Sequence, residues 1–326
     1  MKPIVLPPNL QRHFYAGGPR IAALRGLDID GDRMPEEWIG AVSAMFGQPE
    51  RGLSRLADGT LLRDAVAADP DAYLGREHVA RYGADPGLLV KLLDAGERLP
   101  VHFHPGRAFA RESLDSAHGK TEAWLILEAD PGATMHLGWS RAVEPDEVRE
   151  WMHTQDAPAM LAAMNDLPVA PGDAIFVPAG TAHAIGAGIL LVELQEPTDF
   201  SINLEWEAFP LTEAQSHLGL GWDRALQALD RSAGARPQPH EGLLPPEADP
   251  YFRAERVTAG TPLDPGFSIL VGIEGSGTLA TEGGDLVFDR GSAVLIPHAA
   301  GAGELRGDVT AIRSRPPDPA AEAARW

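Results

Sequence analysis

The chain has 326 residues, 44% of them hydrophobic, and a formal net charge of −20. On a prior of about 100–200 residues per domain, that length points to two domains; the charge disfavours nucleic acid and anionic membrane, which both need a basic footprint. With no cysteine there are no disulfides or thiolate metal sites, so any metal must rest on His and carboxylate donors.

The opening MKPIVLPPNLQRHF lacks the apolar stretch and cleavage site of a secretion signal. No apolar run approaches the roughly 20 residues that a bilayer requires, so a cytoplasmic protein is expected. Residues 1–48 are apolar pieces broken by Gly17-Gly18-Pro19, Gly26, Gly31 and Pro35, which predicts short strands and loops more than helices. Thr60 is placed to cap a helix from Leu61 to Ala68 that Asp69-Pro70 ends, and a second helix is predicted over Asp71–Tyr82.

Leu88 to Leu93 is an apolar run with Lys91 inside it, followed by the turn Asp94-Ala95-Gly96-Glu97 and a second run to His104. A lysine there must meet a partner, line a cavity or snorkel to an edge. Lysine is scarce: of 27 basic residues only Lys2, Lys91 and Lys120 are lysine. A compact, tunable ammonium is not interchangeable with arginine, which marks Lys120, and more evenly Lys91, as functional candidates.

His102 and His104, at i and i+2 in Val101-His102-Phe103-His104-Pro105, project to one side of a strand, roughly 6–7 Å apart. Thr121 to Glu128 alternates, with Glu122, Trp124 and Ile126 on one face and Ala123, Leu125 and Leu127 on the other. Glu122 is thereby placed to face the two histidines. His183 follows a Pro178-Ala179-Gly180 turn. Three imidazoles and a carboxylate make a nitrogen/oxygen set suited to one divalent ion: zinc, iron, manganese or nickel. His13, His78, His118, His136, His153, His217 and His240 stand singly and read as ordinary core or surface residues.

Residues 144–165 change to helical period, with Pro145 at the start and Val148, Trp151, Met152, Met160, Leu161 and Met164 as a packing stripe. Strands are predicted inside 169–180, over 188–195 and over 200–206, and a helix over Asp223–Arg231. Residues 232–250 are rich in proline and small residues and read as a linker. Beyond it, Arg290–Ala299 repeats the pattern of Pro171–Gly180, and Phe267–Leu279 and Asp285–Phe288 are strand-like. The repeat predicts a second, related β-barrel over 251–314 after a first over 1–231; it has His298 but no HxH, so the metal is expected in the first barrel only. Residues 315–326 read as a loose tail.

HxH, then Glu, then His on short strands with PGD and PAG turns resembles the cupin superfamily. GLLVKLLDAGERLPVHFHP, GKTEAW, FVPAGTAHAIGAGILLVELQEPTD and EEWIGAVSAMFG resemble, more narrowly, the short bacterial class I mannose-6-phosphate isomerases, over roughly residues 10–210. The resemblance implies a mainly β fold of two jelly-roll barrels with a helical insertion. It also implies zinc on His102, His104, Glu122 and His183, pocket lysines at Lys91 and Lys120, and an acidic residue at Asp199.

Three departures stand out. The first ligand in the family is usually glutamine, here His102; aspartates usual after His-Pro are Gly106-Arg107; and the family's catalytic arginine aligns with Asn203. Losing a guanidinium removes a fixed charge and a bidentate donor.

The expected activity is metal-dependent aldose–ketose isomerisation of a sugar or sugar phosphate, with Lys120, Lys91 and Asp199 as catalytic candidates and Asn203 and Trp124 as sugar contacts. Two alternatives share the same residues: a metal-dependent oxygenase, and a sugar-binding homologue without turnover.

Overall fold

The computed structural model describes residues 1–234 and 243–319, so part of the predicted linker with His240, and the tail from 320, lie outside the described residues. An antiparallel six-stranded sheet runs in the order Leu10–Gln11, Glu36–Ile39, Leu89–Ala95, Ile189–Gln195, Glu122–Ala129, Ala174–Val177. A five-stranded sheet faces it, in the order Ile202–Asn203, His102–Phe103, His183–Ala184, Thr134–Trp139, Met164–Pro168. The interior between them is packed by Leu93, Trp124, Ile126, Ile189 and Leu191 from the first sheet and by Met135 and Leu137 from the second.

The central strands of the six-stranded sheet are buried along their whole length because both faces are covered. Their alternate residues Val90, Leu92, Ala123, Leu125, Leu190, Val192 and Leu194 point away from the first barrel. They pack instead on Ile269, Val271, Ala293, Leu295 and Ile312 of a third, seven-stranded sheet and on Phe267 just before one of its strands. Period-two alternation thus feeds two cores at once, and this explains why these strands read as unbroken apolar runs. The repeat seen in the sequence is structural: Ala174–Val177 and Ala293–Ile296 occupy the same four positions of the two copies.

The chain's first strand departs from the expected partition. Ile4–Val5 pairs with Ala293–Ile296, so residues assigned by sequence to the first barrel form an edge of the last sheet.

The insertion comprises two helices, Pro145–Thr154 and Ala157–Ala162. Val148, Met160 and Met164 are buried in one cluster, with Trp151 and Leu161 packed on it, and Met152 is buried as well. No described helix is long and apolar enough to cross a membrane.

Several local expectations need correction. The helix Leu62–Ala68 has Leu61, not Thr60, at its N-cap, because Thr60 closes the preceding turn through its main chain. The predicted helix over 71–82 is two, Pro70–Leu74 and Arg76–Tyr82, broken at Gly75. Gly75 has φ 86°, and a Cβ there would lie 2.7 Å from the His298 ring. A helix over Pro19–Arg25 was not expected; its exposed N–H groups are met by Asp94, which accepts from Gly18 and Arg20 at 2.8 and 3.0 Å. The strand over 200–206 shrinks to Ile202–Asn203, and the helix over 223–231 to Trp222–Ala225 with a 3-10 turn at Leu226–Ala228.

Candidate metal centre

Register places the donors. On the five-stranded sheet His183 lies directly across from His102, and His102 across from Asn203. His104 follows on the same face, and the ring centroids of the three histidines are 4.1 to 5.0 Å apart. On the facing sheet, Trp38, Lys91, Glu193 and Trp124 form one cross-strand row. Glu122 sits one pleat further along, opposite Gln195. The two sheets therefore meet in a polar end: Glu122 Oε2 lies 3.2 Å from His104 Nε2 and Oε1 lies 3.3 Å from His183 Nε2.

Each imidazole is oriented from behind by a main-chain carbonyl. Nδ1 donates to Pro100 O in His102 (2.8 Å), to Phe200 O in His104 (2.7 Å) and to Thr181 O in His183 (2.8 Å). With the proton on Nδ1, every Nε2 turns a lone pair toward the centre, as in metal-binding histidines, that of His104 accepting from Lys120 Nζ at 3.0 Å. Burial holds His104 and His183 down to about 3 and His102 well below the usual imidazole range, so all three are neutral at physiological pH. Against burial, which favours its neutral form, the Lys120 ammonium holds Glu122 well below the usual carboxylate range.

Two atoms at this meeting point, His183 Nε2 and Glu122 Oε2, are buried without a hydrogen bond; the latter has Lys120 and His104 at 3.2 Å, neither aligned to donate. Orphaned, correctly charged nitrogen and oxygen donors fit a divalent cation. The three histidines' ligating nitrogens lie within 4.8 Å of one another, the one such cluster among the described residues.

The GKTE loop that carries Lys120 is clamped by Glu196, which accepts from the N–H groups of Thr121 (2.9 Å) and Gly119 (3.3 Å) and pairs with Arg107 Nε at 2.5 Å. Gly119 is required by close approach: a Cβ would lie 2.6 Å from Pro105 O. Arg107 also donates to Pro250 O and stacks over Tyr251, which ties the loop after the histidines to the start of the second half. Lys120 Nζ, held by this loop, lies 3.0 Å from His104 Nε2.

A cavity of about 930 Å³ opens onto this centre. Its walls include Lys91, His102, Lys120, Glu122, Asp199 and Asn203, so the structure brings together most of the residues singled out by sequence. Of the others, His104 and His183 belong to the histidine cluster without lining the cavity, and Trp124 does neither. It is fully buried, absent from the cavity wall, and packs edge-on to His183 at 5.3 Å between centroids. It buttresses His183 from behind, since the row that aims it inward also covers it with both sheets.

Lys91 does not snorkel. Its Nζ lies 3.2 Å from Glu36 and 3.6 Å from Glu193, beneath the Trp38 ring. Glu36 also accepts from Tyr15 Oη (2.6 Å) and Trp38 Nε1 (2.8 Å). Against burial, these partners hold Glu36 well below the usual carboxylate range and Lys91 well above the usual ammonium range. Burial, with Glu122 nearby, pushes Glu193 the other way. Glu36 and Glu193 were missed by the sequence reading, although an acid inside EEWI and LLVELQ is as conspicuous as Lys91 in LLVKLL. His13, read as an ordinary lone histidine, also lines the cavity, as do Arg12 and Arg51.

No protein-family model matches the chain. The chain is 33% identical over 202 residues, 61% of its own length, to the mannose-6-phosphate isomerase of Streptococcus mutans, and the match takes in 58% of that protein. It is 28% identical over 207 residues, 62% of its length, to the mannose-6-phosphate isomerase ManA of Bacillus subtilis, spanning 60% of it. The chain thus matches less than two thirds of the length of these curated relatives.

Among solved structures it superposes on mannose 6-phosphate isomerase from Bacillus subtilis with a TM-score of 0.76 at 23% identity, covering 97% of this chain and 100% of that one. The Salmonella typhimurium mannose 6-phosphate isomerase bound to fructose 6-phosphate and zinc gives 0.73 at 15%, covering 98% and 100%. These likenesses establish the mainly β, cupin-like fold.

Proposed function

We propose that the protein is a zinc-dependent aldose–ketose isomerase of carbohydrate metabolism that interconverts mannose 6-phosphate and fructose 6-phosphate. The observation that carries the reading is the convergence of His102, His104, His183 and Glu122 on one point, reached from a cavity that His102 and Glu122 help to line. The relatives' names support the substrate. His102, His104, His183 and Glu122 would hold the metal, which when bound supplies a Lewis acid for a sugar oxygen.

The remaining work falls to the chain's own groups. Moving a proton between C1 and C2 needs a base within hydrogen-bond reach of both carbons. Asp199 and Glu193 both face the cavity, and Glu193 Oε1 makes no hydrogen bond. Lys120 holds a fixed positive charge beside the ligands, suited to the negative charge that develops on the enediol oxygen. Asn203 offers an amide across from His102 for a sugar hydroxyl.

Elemental analysis together with an isomerase assay tests the reading. Chelation, Glu122→Gln and His183→Ala are each expected to abolish turnover, and Glu193→Gln against Asp199→Asn identifies the base by which one loses kcat. Full activity in metal-free protein overturns the proposal.

A further inference from the structure

The family arginine is absent at Asn203, and the chain carries −20 overall, so an anionic substrate needs positive charge from elsewhere in the cavity. The cavity's cations divide sharply. Lys91 is spent on Glu36 and Glu193, and Lys120 on Glu122. Arg12 and Arg51 are different: both line the cavity, and among the described residues neither has a carboxylate within 4 Å. They are also neighbours. The Arg51 guanidinium donates to the Arg12 carbonyl and, at 3.3 Å, to Gln48 Oε1, which leaves N–H donors unspent.

Their backbones are fixed independently. Arg12 leaves the edge strand Leu10–Gln11, while Arg51 closes a tight loop in which Met45 N donates to Arg51 O (2.9 Å) and Arg51 N to Gln48 O (3.0 Å).

Formal charge agrees. Glu36, Glu122, Glu193 and Asp199 against Lys91 and Lys120 leave the inner cavity two negative charges in excess, which a divalent metal cancels. Arg12 and Arg51 then remain as two uncompensated positive charges at the rim, matching a phosphate monoester of about −1.5 to −2.

We propose that Arg12 and Arg51 form the phosphate subsite of this cavity, holding the ester of a sugar 6-phosphate while its C1–C2 end faces the histidines. This rests on the isomerase reading for the sugar but not for the anion. The test is calorimetric titration of the zinc-loaded protein with mannose 6-phosphate, with mannose and with inorganic phosphate, comparing wild type with Arg12→Ala, Arg51→Ala, Arg51→Lys and the double alanine variant.

Each single alanine variant is expected to weaken mannose 6-phosphate binding about 10- to 100-fold, the range for a charged hydrogen bond. Mannose binding should stay the same, and Arg51→Lys should recover part of the loss. Unchanged zinc content and unfolding midpoint show that the variants are folded. Equal affinity of wild type and double variant for mannose 6-phosphate overturns the subsite. Arginine-dependent binding without isomerisation upholds the subsite and instead sinks the isomerase reading.

Discussion

Lys91 shows how a residue that breaks the hydrophobic pattern can be the one that holds a site together. It is 2% exposed and flanked by two carboxylates that are themselves sealed from water. Removing the cation leaves buried anions uncompensated, so Lys91→Met is expected to destabilise by about 3–5 kcal/mol, read from the denaturation midpoint. Trp124 predicts the opposite. Its buried Nε1 has no hydrogen-bond partner, so Trp124→Phe loses little that was satisfied. The expected change is about 1–2 kcal/mol, the cost of the space the smaller ring leaves, with unchanged zinc content; loss of sugar affinity would restore Trp124 to the cavity wall.

Trp124 was visible in the sequence as a strand position facing the same way as Glu122, and Lys91 as a lysine inside an apolar run. Whether such a position meets the cavity or the back of an imidazole depends on cross-strand register, which single-chain periodicity does not carry. The same limit hid Arg12 and Arg51, whose significance lies in the carboxylates they do not meet.

At the level of elements, ion pairs between strands do work that turns alone do not. Asp264, in the connection between Pro262–Leu263 and Ser268–Thr281, accepts from Arg313 Nη1 at 2.8 Å and Arg315 Nη2 at 2.6 Å on the last strand. Against partial burial, the two guanidiniums hold its carboxyl down to about 2 from 3.8. A depressed carboxyl stabilises the fold above its unfolded value and loses that contribution as pH falls toward its folded one. Stability is therefore expected to decline as pH drops from about 4 to about 2, and Asp264→Asn should flatten that part of an acid titration followed by circular dichroism. The effect is modest because Asp264 is 60% exposed on its side chain.

Elements with their own signals were legible: the Pro145 helix, the alternating Glu122 strand, the repeated Ala174 and Ala293 strands. The helix Pro19–Arg25 was not, since its N-terminal groups are satisfied by an aspartate 76 residues away.

Across the whole molecule, the donors proposed to hold the metal come from both sheets of the first barrel, His102, His104 and His183 from one side and Glu122 from the other. An ion held there would also clamp the two layers together. Zinc added to metal-free protein at a hundred times its Kd should stabilise by about 2.7 kcal/mol, seen as a rise in unfolding temperature that His183→Ala abolishes. The two-barrel plan was readable because its repeat kept turn and strand chemistry in both copies. The sharing of one sheet between two cores was not, because an apolar run does not say what covers each face.

The pairing of Ile4–Val5 with Ala293–Ile296 has a consequence for biosynthesis. Ile4–Val5 is made long before its partner, so this edge closes only once Ala293–Ile296 has been translated. Until residues 267–312 are also in place, the outward row of the six-stranded sheet lacks the side chains that cover it, and an uncovered apolar face is open to wrong contacts during folding.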